Sequence, residues 1–355
     1  MPWALSLEGM QDFSGLPQPF GRAEAAGAGF TVRGVERAAV SGHLTRLAPS
    51  LYAVRSAWEE LAPWVRHAQL ARAAVRLTPD AMVSHLSLAV LMGLPHPAYT
   101  VSKVSMTLLD DRRTSRADEW RQFHRGRTPP GHVVVASRRA HLTPTRTVVD
   151  CARDLHPRDA LAIMDAAMRR GLTSLPQLRD MRRHQRQLPG ISGVDTLLRI
   201  CDPLRENWLE SASAWAVHAS GLPAGVPQVT VLDAAGRFVA RVDALWPELG
   251  VVGEADGRGK YEIGAEPGEG TDVFSIMRTA IHEQREREDR LGDLGLVVCR
   301  WGQRDALAMT PLADRLRSAI ERAEPARVTA RYRCSCCSRD LTDCAGATRI
   351  ARLGA

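Results

Sequence analysis

Two apolar runs near residue 250 carry acid where a buried strand should exclude it. In RVDALWPELGVVGEADGRGK, Arg241 to Lys260, Asp243 interrupts the first run, and Glu254 and Asp256 close the second. Burying an unpaired carboxylate costs several kcal/mol. Any fold this stretch adopts must therefore bring positive charge or hydrogen-bond donors to those acids.

The flanking sequence predicts what surrounds them. From Leu204, the residues Leu204, Trp208, Leu209, Ala212, Trp215 and Ala216 recur at helical spacing, with Glu210 beside that face. Gly221 to Pro223 ends the helix. PQVTVLD, RFVARVDALW and LGVVGEAD read as three strands, Gly270 to Leu291 as a helix, and LGLVVCRW as a last strand. Trp246 and Trp301 read as packing residues.

Charge is unevenly distributed. The 355 residues carry a net +7, and of 47 basic residues only Lys103 and Lys260 are lysine. Residues 1–200 hold 27 basic and 17 acidic side chains, whereas residues 201–300 hold 10 and 17. A basic first half suits a nucleic-acid partner. No apolar run reaches the roughly 18 residues of a membrane helix, and no basic stretch leads into an apolar N-terminal core. Seven cysteines, an odd number, do not form a disulfide framework. These features predict a cytoplasmic chain without a membrane partner.

In the first half, Thr31 can cap a short helix with Val35, Ala38 and Ala39 on one face, ended by Ser41-Gly42. HLTRLAPSLYAV then alternates as a small hairpin. A helix followed by a two-stranded ribbon is what a winged helix-turn-helix needs. Arg33, Arg37 and Arg46 would then reach DNA bases or phosphate. Ser84, His85, His124 and Asp150 are scattered and read as structural, Ser84 as a helix cap and Asp150 as a partner of Arg146 or Arg153.

The ordered segments GHLTRLAPSLYAV, MVSHLSLAVLMGLP, LTPTRTVVDCARDL and ALAIMDAAMRRGLTSLPQL resemble the AbiEi-type antitoxin-like transcriptional regulators over roughly residues 15–195. That resemblance implies a winged-helix DNA-binding region at 1–60, a small α/β domain at 61–195 and a cognate toxin as a partner. The segments ESASAWAVHASGLP, GRFVARVDALWPELGVVGEADG and REREDRLGDLGLVVCRW are similar to a bacterial family related to the very-short-patch mismatch repair endonuclease. That second resemblance implies a restriction-endonuclease-like PD-(D/E)xK domain over 204–322, in an α/β multidomain chain.

Cutting a phosphodiester needs a metal to steady charge and activate water. Mg²⁺ takes hard oxygen ligands, commonly one or two carboxylates. On this reading Asp243 and Glu254 are ligands, Asp256 ligates through water or holds the turn, and Glu210 completes or orients the set. The motif's lysine would stand at Asp256, so Lys260 is its replacement in the catalytic set. The alternative is a transcriptional regulator or type IV antitoxin with a catalytically inactive nuclease fold.

Residues 323–355 read as a Cys- and Arg-rich tail. Cys334, Cys336, Cys337 and Cys344 lie within a dozen residues in RCSCCSRDLTDC. They suggest Zn²⁺, although the spacing is not paired C-x₂-C. The other reading is a thiol-rich tail whose Arg327, Arg331, Arg333 and Arg339 touch phosphate.

Overall fold

In a computed structural model of the chain, the described residues are 12–97, 99, 101–109, 116–136, 139–256 and 273–345. Lys260 lies outside them. The chain divides into two compact units, Met1–Cys151 and Ala152–Ala355. It is a mixed α/β multidomain protein with several small sheets. Among the described residues no helix is long and apolar enough to cross a membrane.

The first unit opens with β1 (Phe20–Gly21), α1 (Arg22–Gly27), α2 (Val32–Val40), β2 (Leu44–Ala48) and β3 (Leu51–Val54). Thr31 caps α2 as expected, its Oγ1 accepting from Gly34 N at 3.1 Å. The hairpin of β2 and β3 also forms, with β1 as a third strand beside β3. Val35 of α2 packs with Phe13, Phe20, Leu44 and Tyr52. The α1 helix reaches α2 through a turn in which Gly29 takes φ +88°.

The rest of the unit holds α3 (Arg55–Glu59), α4 (Pro63–Leu77), β4 (Ala81–Val83), α5 (His85–Leu91), β5 (Val104–Leu108), β6 (Arg116–Ala117), β7 (Arg121–His124), β8 (Val133–Ala136) and β9 (Arg139–Leu142). Strands β4, β5, β7 and β6 form one sheet in that order. Then α6 (Pro144–Asp154) runs across the division between units. Asp150 pairs with Arg146 at 2.8 Å, as the sequence suggested. Ser84 does stand at the N-cap of α5, but makes no side-chain cap. Its Oγ lies 2.9 Å from His85 Nδ1 instead.

The second unit begins with α7 (Pro157–Arg169), α8 (Leu175–His184) and α9 (Ile191–Ile200). The junction expected between 195 and 204 lies inside this unit, because α7 packs against α10 (Trp208–Ala219). Buried Asp165 of α7 ties the two. It accepts from Arg205 Nη1 at 2.8 Å, Ser211 Oγ at 2.9 Å and Asp202 N at 2.8 Å. The α10 helix starts at Trp208 rather than Leu204 because Asn207 caps it, accepting from Glu210 N at 3.0 Å.

A five-stranded sheet follows: β10 (Val226–Leu232), β11 (Phe238–Trp246), β12 (Val251–Asp256), β13 (Val297–Gly302) and β14 (Arg331–Cys334), ordered β13-β12-β11-β10-β14. Within this sheet the β12–β13 pair is parallel and the others antiparallel. A helix, α11 (Val273–Asp293), links β12 to β13, and α12 (Gln303–Ala308) and α13 (Thr310–Arg322) follow β13. One core gathers α10, α12 and α13 around Trp246 and Trp301, and a second gathers Val229, Val242, Leu291 and the β14 segment. Gly253 is required between the two tryptophans. A Cβ there would stand 2.5 Å from Trp301 Cη2 and 2.9 Å from Trp246 Cζ3.

Residues 331–344 are thus part of the sheet and its core rather than a free tail. The outer edge of β10 exposes unpaired backbone groups, and β14 pairs with them from Val229↔Cys334 to Leu232↔Arg331.

Candidate functional site

Asp243 sits on β11 between the Ala244↔Pro227 and Val242↔Val229 partners, so Gln228 of β10 stands beside it. Regular strands send residues an odd number apart to opposite faces. Yet Val226 and Val229 share one core, as do Val242 and Leu245. Gln228 takes φ +52°, which changes the parity of β10 at this point. A left-handed residue other than glycine costs about 1–3 kcal/mol. Here it turns a buried side chain onto two acids. Gln228 Nε2 donates to Glu210 Oε2 at 3.0 Å and to Asp243 Oδ1 at 3.4 Å. The other Asp243 oxygen accepts from Ala255 N at 2.9 Å.

Glu210 is buried at the third position of α10. Besides the Gln228 amide, its carboxylate takes Glu206 N at 2.9 Å and Asn207 Nδ2 at 2.5 Å. Burial pushes its pKa up, and the charges of Asp243 and Glu206 add to that. The hydrogen bonds from Glu206 and Gln228 offset it in part. Glu210 is an acceptor hub that orients Gln228.

Glu254 stands beside Arg300 in the parallel register of β12 and β13. Arg300 Nε donates to its Oε2 at 2.8 Å, and Arg287 Nη2 of α11 meets its Oε1 at 2.9 Å. Arg300 also reaches Glu288 at 2.8 Å. The positive charge that the opening acids require is therefore guanidinium at Glu254. Asp243 accepts from the Gln228 side-chain amide and the Ala255 N–H.

Asp243, Glu254 and Asp256 line one open cleft of about 700 Å³, with Glu283 and Glu286 and with Arg241, Arg287 and Arg290. Glu210 is not part of that lining; with Asp243 it borders a small cavity of about 40 Å³ beside Trp246 and Trp301. No three of Glu210, Asp243, Glu254 and Asp256 bring carboxylate oxygens within 4.8 Å of one another. The acids expected as ligands, Asp243, Glu254 and Asp256 with Glu210, therefore do not form a preformed cluster of three. Asp243 is turned to Gln228 and Ala255, Glu254 to its arginines, and Asp256 is exposed at the strand end. Two carboxylates bordering one cleft still suit Mg²⁺, which keeps most of its waters and takes one or two protein acids.

Elsewhere, Arg33 and Arg37 on α2 and Arg46 on β2 are all exposed. Trp246 and Trp301 are packing residues, as read from the sequence. Trp246 Nε1 donates to Pro223 O at 2.7 Å and Trp301 Nε1 to Ser213 Oγ at 2.6 Å. Cys334, Cys336, Cys337 and Cys344 bring their sulfurs within 4.8 Å of one another. Sequence reading missed Gln228 and Arg300. A signal existed for each: a glutamine in the otherwise mostly apolar PQVTVL run, and a guanidinium in VVCRW on the strand that follows Glu254's. The N-x-x-E spacing of Asn207 and Glu210 likewise marks the true start of α10.

Comparison with known proteins adds little to this geometry. No family model matches the chain, and no solved structure matches it. Over 118 residues the chain is 30% identical to two Mycobacterium tuberculosis proteins, Uncharacterized protein MT2308 of strain CDC 1551 / Oshkosh and Uncharacterized protein Rv2248 of strain ATCC 25618 / H37Rv. The match covers 33% of this chain and 43% of each relative, so the chain spans less than half the length of the relatives it resembles.

Proposed function

We propose that the chain is a DNA-binding protein whose second unit hydrolyses phosphodiester bonds with Mg²⁺ in the cleft between β11, β12 and α11. The observation that carries this reading is the meeting of Asp243 and Glu254 at one cleft rimmed by Arg241, Arg287 and Arg290. Helix, three antiparallel strands, helix and parallel strand are the order expected of a PD-(D/E)xK nuclease. The α1–α2 pair and its hairpin, carrying Arg33, Arg37 and Arg46, suit a winged helix that holds duplex DNA.

Asp243 and Glu254 would hold the ion, which when bound neutralises charge on the phosphate and lowers the pKa of water. The protein's own groups have defined tasks. Gln228, fixed by Glu210, and the Ala255 N–H hold the Asp243 carboxylate in one orientation. Arg287 and Arg290 contact the anionic backbone, and Arg287 exchanges its pairing with Glu254 for phosphate.

Supercoiled plasmid incubated with Mg²⁺ or Mn²⁺ tests the assignment. Wild-type protein nicks it, and Asp243→Asn slows nicking at least about a hundredfold, the loss typical of a removed charge-stabilising group. No metal-dependent cleavage by the wild type at any condition sinks the proposal. One observation favours the second reading, a non-enzymatic regulator or antitoxin acting on a cognate toxin: Glu254 already has both oxygens paired with arginine. Wild-type DNA binding with no cleavage would establish it.

A further inference from the structure

The far edge of the same sheet carries chemistry unrelated to the cleft. β14 ends at buried Cys334, and the chain reverses tightly after it. Ser338 N donates to Cys334 O and Cys334 N to Arg339 O, each at 2.9 Å. A turn over Leu341–Asp343 then returns Cys344 to the core beside Leu341. The result is four sulfurs from one short hairpin, with Cys334 Sγ 3.0 Å from Cys336 Sγ and 3.2 Å from Cys344 Sγ, and Cys336 Sγ 3.4 Å from Cys344 Sγ. None of the four cysteines, Cys337 included, is in a disulfide, and their sulfurs lie mutually within 4.8 Å.

Disulfide bonding does not explain this, since bonded sulfurs stand about 2.05 Å apart. Ordinary packing does not either: thiols are weak donors and acceptors and gain little by converging. Four thiolates bound at about 2.3 Å to one tetrahedral ion stand about 3.8 Å from each other, the scale of this cluster. An N–H already serves one sulfur, Cys336 N lying 3.4 Å from Cys334 Sγ, as metal-bound thiolates are commonly supported. Two ligands are buried and two exposed, so an ion can enter from solvent. The adjacent Cys336 and Cys337, unpromising by spacing, both reach the cluster because the reversal after Cys334 folds them back onto it.

We propose that Cys334, Cys336, Cys337 and Cys344 bind one zinc ion as a closed four-thiolate site that staples the C-terminal hairpin to β10. Each thiol gives up its proton, so binding one Zn²⁺ releases four protons and leaves a site of charge −2, flanked in sequence by Arg331, Arg333 and Arg339. Four protein ligands leave no open position, which makes the role structural. The staple also touches the cleft's support: Ser335 Oγ donates to Gln228 O. The site stands independently of the phosphodiesterase reading.

Full-length protein, reduced and reconstituted with zinc, is expected to retain one zinc per chain by elemental mass spectrometry after desalting. Cobalt in its place gives the intense visible bands of a tetrahedral four-thiolate centre. Because Cys334→Ser or Cys344→Ser alters the core, the exposed Cys336→Ser is the decisive variant. It should shift the cobalt bands toward a three-thiolate spectrum and weaken zinc at least roughly tenfold, since even outer-shell losses cost that much. Substoichiometric zinc, a weak octahedral cobalt spectrum, or an unchanged affinity and spectrum in Cys336→Ser overturns the proposal. So does isolation of the chain with these thiols disulfide-bonded under reducing conditions.

Discussion

Gln228 donates to Asp243 across the β10–β11 pair from a left-handed backbone, with Nε2 to Oδ1 3.4 Å and φ +52°. Backbone and side chain can be separated by two substitutions. Gln228→Ala and Gln228→Gly both lose the amide shared by Glu210 and Asp243, and both are less stable than wild type by about 1–3 kcal/mol. Only alanine keeps the conformational penalty, so the glycine variant is the more stable of the two by about 1 kcal/mol. Urea unfolding midpoints measure this, and the reverse order would refute a strained Gln228.

Gly253 lies where two indoles close over β12, both pinned by their own hydrogen bonds. Neither ring can step aside cheaply. Gly253→Ala is expected to destabilise the second unit by about 1–3 kcal/mol, the cost of overpacking a core. Near-ultraviolet circular dichroism should change with it. An unaltered thermal midpoint would mean the rings are not held as described.

Glu210 titrates above the ordinary carboxyl range, chiefly because it is buried. For an acid with a raised folded pKa, the native state binds the proton more tightly than the unfolded chain. Stability is therefore greater below the unfolded value, near 4.5. It falls as pH rises through the window up to the folded value, and each tenfold difference in proton affinity is worth about 1.4 kcal/mol. The stability of wild type relative to Glu210→Gln should decline across that window and be flat below it. A difference that grows in favour of wild type with rising pH would contradict the burial argument.

Arg300 has one carboxylate on each side, Glu254 and Glu288. Arg300→Met leaves Glu254 with Arg287 alone, so the loss is less than for a fully orphaned buried charge. About 1–2 kcal/mol is expected, as for one charge-assisted hydrogen bond. A denaturation curve superimposable on wild type would show that Arg287 alone suffices.

Arg33 and Arg37 are exposed on α2. If they contact phosphate, each alanine variant flattens the log–log salt dependence of DNA affinity by about 0.9. Mobility shifts at several salt concentrations read this directly. Weaker binding with an unchanged slope would move the contact from phosphate to base edges.

The residue pattern alone determined the order of helix, three strands, helix and strand from α10 to β13, and the helix-hairpin near residue 40. Those rest on local spacing and caps such as Thr31, which act within a few residues of one another. Sequence also placed Asp243 and Glu254 on neighbouring strands, because two apolar runs joined by a short turn pair in register. What neutralises them was decided by tertiary structure. Arg300 reaches Glu254 through a parallel crossover, Arg287 through the helix of that crossover, and Gln228 reaches Asp243 through a conformation its sequence neighbours do not announce. The same holds for the C-terminal hairpin: RCSCCSRDLTDC shows four thiols, but the open edge of β10 decides that they fold onto the sheet. Long-range partners are chosen by which edges and charges remain unsatisfied once local elements have formed, and that choice is not written in the spacing of nearby residues.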